Sequence, residues 1–458
     1  MRRPAPPEGG LPRERLARQA TSMQASRTQA ADPRAPSALT SGHVQVPMQL
    51  RGLLRLGQAV LGAAVFFSGH AVLKLGGVNL TVADVALVLA AVIFLAHRRL
   101  NLVPFGAMTP IWLLGLAAML GGLFVSTLAN GDPIRWVNIA SQYAVAFFLL
   151  PLVLTAVDTR FAQRLTLVYV AGVLVSELVG IAAFLFLEPS DTTFISPGFL
   201  SGSRRVGALA GEPNPNGATI AFALAMLVYC VRKGMLKPVP AFLVAAVLIW
   251  GLLLSASVTG FTASIVAVVT VLAFTGLGRL LKVALVVVVA GGLYLNSGAP
   301  LPQTFTKRVA TSFMTGDVSQ AGTFTGRSEL IVEAWEMAED NIFYGLGADQ
   351  YREVNADGQP VHNLHLLIWN EGGAGAYLGL LLMLSLLVVL ALAGLRERRE
   401  EAAMALAAVV VFLIYTMSNP HMYGRFWVLP VMLALSTIYA RPSFVAVPMQ
   451  PMPVPARG

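Results

Sequence analysis

The stretch VHNLHLLIWNEGGAGAYLGLLLMLSLLVVLALAGLR, residues 361–396, decides the fold class. From Gly372 to Leu395 it carries no charged residue, and ~20 mostly apolar residues are what ~30 Å of hydrocarbon demands of a helix. Runs of the same kind recur in windows centred near residues 63, 88, 117, 145, 175, 222, 246, 268, 288, 378, 410 and 432. The expectation is an all-α, polytopic membrane helical bundle of about 12 transmembrane helices between Leu53 and Ala440. Composition agrees, with 56% hydrophobic and 12% charged residues in a chain of 458 and a mean hydropathy of +0.69. Soluble domains of this size do not read so.

Basic residues orient the bundle. With a cytoplasmic N-terminus, inside loops hold Arg51 and Arg55, Arg98 and Arg99, Arg160 and Arg164, Arg232 with Lys233 and Lys237, Arg279 with Lys282, and Arg396 with Arg398 and Arg399. That alternation is the positive-inside pattern, and it puts the one long polar interruption, residues 297–361, outside. The formal charge of +9 is then mostly topology, and no nucleic-acid site follows from it. Residues 1–48, rich in Pro, Arg, Ser, Ala and Gln, read as a disordered cytoplasmic tail. The membrane domain is expected over 49–440, and the Pro-rich 441–458 is a second cytoplasmic tail. The single Cys230 allows no intrachain disulfide and no zinc spacing.

On the outer side, basic residues are exceptions: Lys74, Arg135, Arg204, Arg205, Lys307, Arg308, Arg327, Arg352 and Arg425. A guanidinium binds phosphate bidentately and keeps its proton, which suits a pyrophosphate ligand. The plainer alternative is that these arginines snorkel or pair with acids. Within the loop, Leu330, Ile331, Ala334, Trp335 and Ala338 share one helical face after Thr325-Gly326-Arg327, so an amphipathic helix is expected, followed by a turn at Gly345-Leu346-Gly347. His362 then opens a helix running to about Leu395. An imidazole there can act as a general base near neutrality, or be only a packed, hydrogen-bonded side chain. His365, one turn on, and His421, beside Asn419, Tyr423 and Arg425, are its rivals.

At these residues the chain resembles the O-antigen ligase and O-antigen polymerase superfamily. The likeness lies in Arg327 opening the amphipathic helix, in Asp340-Asn341-x-x-x-Gly345-x-Gly347, and in His362-Asn363 followed by a Gly-rich helix. Arg205-Val206-Gly207 and Pro213-Asn214-Pro215-Asn216 resemble the family's earlier segment. The sequence departs from the ligase pattern at Ala376, at Ile331 in place of Leu, and at Ser257-Val258-Thr259-Gly260, which lacks an Arg many members carry. Ligase and polymerase both stay open.

The resemblance implies a C-type glycosyltransferase fold in the bacterial inner membrane, with both termini cytoplasmic and the active site facing the periplasm. It implies inverting transfer without metal, cofactor or nucleotide sugar. The donor would be an undecaprenyl-pyrophosphate-linked glycan, and the acceptor another glycan or lipid A-core. His362 and Arg327 would be the catalytic residues. Arg205, Arg204, Arg135, Asn363, Asn214 and Arg425 would bind substrate. The rival class is a polysaccharide-lipid transporter or flippase with arginines along its path; few mid-span charges and no evident duplicated halves speak against it.

Overall fold

Backbone amides cannot remain unpaired in hydrocarbon, so apolar runs close their hydrogen bonds internally as helices. The computed structural model describes residues 48–74, 80–276, 278, 282, 292, 294, 296–298, 301–315, 324–355 and 358–442. Of 48–51, 313 and 324–328 it describes the backbone alone. The tails expected over 1–48 and 441–458 lie outside these residues save for Met48, Arg441 and Pro442, and so does most of the window near residue 288. The helices pack within one unit, Gln49–Gly458.

Among the described residues the chain is all-helical, with isolated bridges but no strand. We label the main helices α1 (Met48–Phe67), α2 (Val82–Ala96), α3 (Thr109–Asn130) and α4 (Pro133–Leu154). They continue as α5 (Thr159–Phe186), α6 (Pro213–Arg232), α7 (Pro238–Ser255) and α8 (Val258–Thr275). The last four are α9 (Phe324–Asp340), α10 (Leu364–Ala393), α11 (Arg399–Thr416) and α12 (Arg425–Tyr439). Among the described residues, seven helical segments are long and apolar enough to cross a membrane: α3 to α8, and α10 extended to Arg396. The chain is therefore a helical membrane protein. Apolar helices Gly52–Phe67, Val82–Ala96 and Arg425–Tyr439 are shorter, and α11 opens on Arg399, Glu400 and Glu401.

Local chemistry sets the starts. Asp158 and Ser257 accept from Phe161 and Gly260 N–H at the heads of α5 and α8, satisfying donors a helix leaves unpaired. Pro133, Pro213 and Pro238 sit where a missing N–H costs nothing. α6 lies deepest, with 83% of its span buried, whereas α2 turns Val88, Leu89, Val92 and Leu95 outward as a lipid-facing side would. α3 and α10 approach closely through small residues. A Cβ on Gly122 would meet the Ala376 backbone at 2.5 Å, and one on Gly115 the Met383 side chain at 2.9 Å.

Two expectations about the outer segment change in detail. On α9, Leu330, Ala334 and Ala338 are buried, but Ile331 and Trp335 are 36% and 54% exposed, because the buried stripe follows the narrower side that meets α10. The helix expected from His362 begins at Leu364 and is broken at Gly373, whose φ of 67° and ψ of −173° are not helical.

Candidate functional site

A broken helix must find partners for the backbone groups it releases, and a turn of the outer segment supplies them. Leu346 and Gly347 N–H donate to the Asn370 and Glu371 carbonyls at 2.8 and 2.9 Å. Ala374 N–H donates to Ile342 O at 2.8 Å. On its other side the turn is held by α3. Gly345 N–H donates to Ser126 Oγ, Ala348 N–H to Thr127 Oγ1 (both 2.9 Å), and Asn130 Nδ2 to Gly345 O at 3.0 Å. Gly345-Leu346-Gly347 is thus wedged between two membrane helices rather than lying at the surface. Gly345 has no room for a Cβ against the Glu371 carbonyl, and Gly347 has a φ of 97°. The span Leu364–Arg396 has 33 residues, roughly 50 Å at 1.5 Å per residue, so its first turns exceed the ~30 Å core. Irregular backbone is tolerated where protein covers it.

The wedge brings carboxylates and an imidazole together. Asp349, Glu371 and His421 each offer an atom within 4.8 Å of the others. Asp349 has a φ of 59°, and its Oδ2 is paired with Arg352. Glu371 is 1% exposed. His421 stacks on Tyr423 at 5.3 Å, and neither ring nitrogen has a hydrogen-bond partner. Burial pushes the His421 imidazole down to about 4 and the Tyr423 phenol up to about 12. By sequence alone His421 is a lesser rival of His362, and neither Glu371 nor Asp349 is among the expected site residues. The legible signal is Glu371, an acid at the head of an apolar span.

The second constellation joins residues the sequence singles out. Arg205 Nη2 donates to Asn214 Oδ1 at 3.1 Å, and Arg205 Nε to the Ser255 carbonyl at 2.9 Å. Ser257 Oγ donates to the same Asn214 oxygen at 3.1 Å, and Tyr415 OH to the Asn214 carbonyl at 3.2 Å. The next residue, Thr416, shares a 3.2 Å hydrogen bond with His365 Nε2. Consecutive residues of α11 therefore touch the Arg205–Asn214 pair and the first turn of α10. Asn363 caps that turn, its Oδ1 accepting from Leu366 N–H at 3.1 Å, and half-buried His362 stands just before the cap.

Three further arginines, Arg204, Arg135 and Arg425, are engaged with carboxylates. Arg204 donates twice to Glu188 and once to the Phe184 carbonyl. Arg135 bridges Glu353 at 2.8 Å and the Asp349 carbonyl at 3.0 Å. Arg425 is buried against Asp84, with a further bond to the Tyr423 carbonyl. Arg327 lies in the first turn of α9, and its side chain is outside the described residues. A cleft of about 350 Å³ lined by Arg99, Asp158, Arg160 and Arg441 lies at the opposite end of the bundle and touches none of these groups.

No protein-family model matches the chain, and no curated protein matches its sequence significantly.

Proposed function

We propose that the chain is an inner-membrane glycosyltransferase that moves a glycan from undecaprenyl pyrophosphate to an acceptor hydroxyl at the periplasmic face. Its acceptor would be lipid A-core, as in O-antigen ligases; chain extension, as in the polymerases of the same superfamily, is the neighbouring reading. With it goes the finer topology: twelve crossings, residues 297–361 outside, and both termini cytoplasmic. In this reading the imidazole of His362 takes the acceptor proton while the hydroxyl oxygen attacks the anomeric carbon. The pyrophosphate leaves with its negative charge balanced by guanidinium groups. Arg205 and Arg327 would do this, with Arg135, Arg204 and Arg425 flanking the approach. The transfer needs no metal or cofactor.

The observation that supports the reading most is the meeting of Arg205, Asn214 and the head of α10 on Tyr415 and Thr416. It gathers at one end of the bundle a guanidinium for an anion, polar groups to orient it and, one turn before His365, the imidazole at the helix start.

The test is an analysis of lipid-linked and surface glycans in a deletion strain carrying the wild type or a variant. His362→Ala should reach the membrane normally yet strand the glycan on its lipid carrier, since losing a general base costs ~100- to 10,000-fold in rate. His365→Ala, which removes the bond to Thr416 and an edge contact with the Tyr377 ring, should retain far more activity. Full activity in both would sink general-base catalysis by this helix and bring the transporter reading forward. Free polymer left on its carrier after deletion identifies a ligase; loss of the ladder of chain lengths identifies a polymerase.

A further inference from the structure

We propose that Asp349, Glu371 and His421 form a binding site for a divalent transition-metal cation, Zn²⁺ or Mn²⁺, that clamps the wedged turn, the broken helix and the last outer loop together. This goes beyond glycosyl transfer, whose chemistry does not call for it.

Unpartnered atoms mark the place. Glu371 is 1% exposed, and its Oε2 is buried without a hydrogen-bond partner. A buried carboxylate oxygen without a partner is costly. His421 presents two buried nitrogens in the same condition. Asp349 gives Oδ2 to Arg352, while its Oδ1 stands 4.0 Å from His421 Nε2. The three side chains meet from three separate segments.

Their spacing suits one ion. Donors ~2.0–2.2 Å from a common cation lie up to about 4.4 Å apart, and one ligand atom from each of the three residues lies within 4.8 Å of the others. Movement of a few tenths of an ångström closes the set. One nitrogen and two carboxylate oxygens favour Zn²⁺ or Mn²⁺ over Mg²⁺ and Ca²⁺, which take oxygen ligands. Open positions on the cation would be filled by water.

A bound cation would fix what hydrogen bonds alone hold. Asp349 directly follows the turn wedged between α3 and α10. Glu371 sits two residues before the break at Gly373. His421 belongs to the loop between α11 and α12, four residues from Arg425, whose ion pair ties that loop to α2. The ion would join these at the end of the bundle that carries Arg205 and His362.

The experiment uses tag-free full-length protein in detergent, stripped with a chelator, without donor or acceptor. Titration calorimetry with ZnCl₂ and with MnCl₂ should show one site per chain, and saturating metal should raise the apparent Tm. Glu371→Gln and His421→Gln should each weaken binding by at least about tenfold, since even groups that only support a metal's ligands are worth 10- to 100-fold in affinity. The apo Tm of each variant, compared with the apo wild type, shows that it folds. Should a variant fail to fold, pulsed electron paramagnetic resonance on wild type with Mn²⁺ serves instead, and nitrogen modulation from a bound imidazole is expected. Absence of stoichiometric binding of both metals, binding unchanged in both variants, or Mn²⁺ without nitrogen coupling would each overturn the site. A higher apo Tm in Glu371→Gln, with no metal bound by the wild type, would overturn it in favour of a Glu371 that holds a proton. Because no glycan is present, either result leaves the glycosyl-transfer reading untouched.

Discussion

At the residue scale, paired and unpaired charges separate structural from ligand-binding work. Arg425 and Asp84 have side chains only 9% and 6% exposed, so Arg425→Ala leaves the buried carboxylate without its counter-charge, held only by Thr81, at a cost of up to about 3–5 kcal/mol. It should lower the apparent Tm and the amount of protein in the membrane. Arg135 and Glu353, 31% and 51% exposed, form a solvent-screened pair that contributes little to stability. Arg135→Ala should therefore keep near-normal Tm, and a loss of glycan transfer at equal membrane levels would mark Arg135 as a ligand residue. His70 yields a pH dependence. A carbonyl can only accept, so the 2.9 Å contact to Gly172 O puts the proton on Nε2 and leaves Nδ1 buried without a partner. Burial holds the ring below its ordinary value of ~6.5. Above that pH the ring is neutral in folded and unfolded chains alike. Below it the unfolded chain takes up a proton that the folded chain resists, so stability falls as pH falls. The His70→Gln amide can still donate to Gly172 O but does not titrate. Between pH 7.5 and 5.5 its Tm should drop less than that of wild type, and equal drops would remove His70 as the cause.

At the element scale, the break in α10 controls the site. Gly373 occupies a left-handed conformation with the Phe343 carbonyl where a Cβ would stand, whereas Gly375 has open space around its Cβ direction. Gly373→Ala should cost about 1–2 kcal/mol for the backbone, plus the clash. Gly375→Ala should be neutral or slightly stabilising within a helix. Thermal unfolding of both in detergent checks this, and equal Tm values would mean that α10 tolerates a straight course through residue 373. The contrast also marks the limit of what is legible in the sequence. The apolar run after Gly372 announces a membrane helix, and Asn363 is a recognisable cap. Nothing local tells Gly373 from Gly375, because the break exists only where residues 342–348, joined to α10 by long-range contacts, replace its hydrogen bonds. For the same reason Asp349 carries no local signal: it meets Glu371 and His421 through tertiary packing rather than motif spacing. The arginines of the outer segments are legible, but their acid partners, such as Glu188 for Arg204, come from packing.

At the scale of the whole molecule, contacts sort the polar groups to two ends of the helices. One end joins Arg441 to the Leu100 carbonyl and Thr159, Arg398 to the α12 carbonyls of Thr437 and Ile438, Arg399 to Phe274 O, and Arg232 and Lys233 to Glu400 and Glu401. The other joins Asn130 and Arg135 to residues 345–353, Arg425 to Asp84, Arg205 to Asn214, and His365 to Thr416. The segment 301–315 belongs with this second set, since Thr304 Oγ1 donates to the Ser203 carbonyl at 3.2 Å. If the charge rule that orients basic loops holds here, the first end would face the cytoplasm. Exposed positions at the two ends give the test. Met314 is 85% exposed, and Glu397, also exposed, precedes α11. Single cysteines at these positions belong in a Cys230→Ser background. That replacement is mild, because Cys230 is buried with only a 3.4 Å contact to Thr166 Oγ1 to preserve. In cells with a permeabilised outer membrane, an impermeant thiol reagent should label Met314→Cys at once and Glu397→Cys only after the inner membrane is opened. The reverse order would put Arg205, His362 and the wedged turn in the cytoplasm, out of reach of a periplasmic lipid-linked glycan. The proposed transfer would then fail whatever the chemistry of its residues.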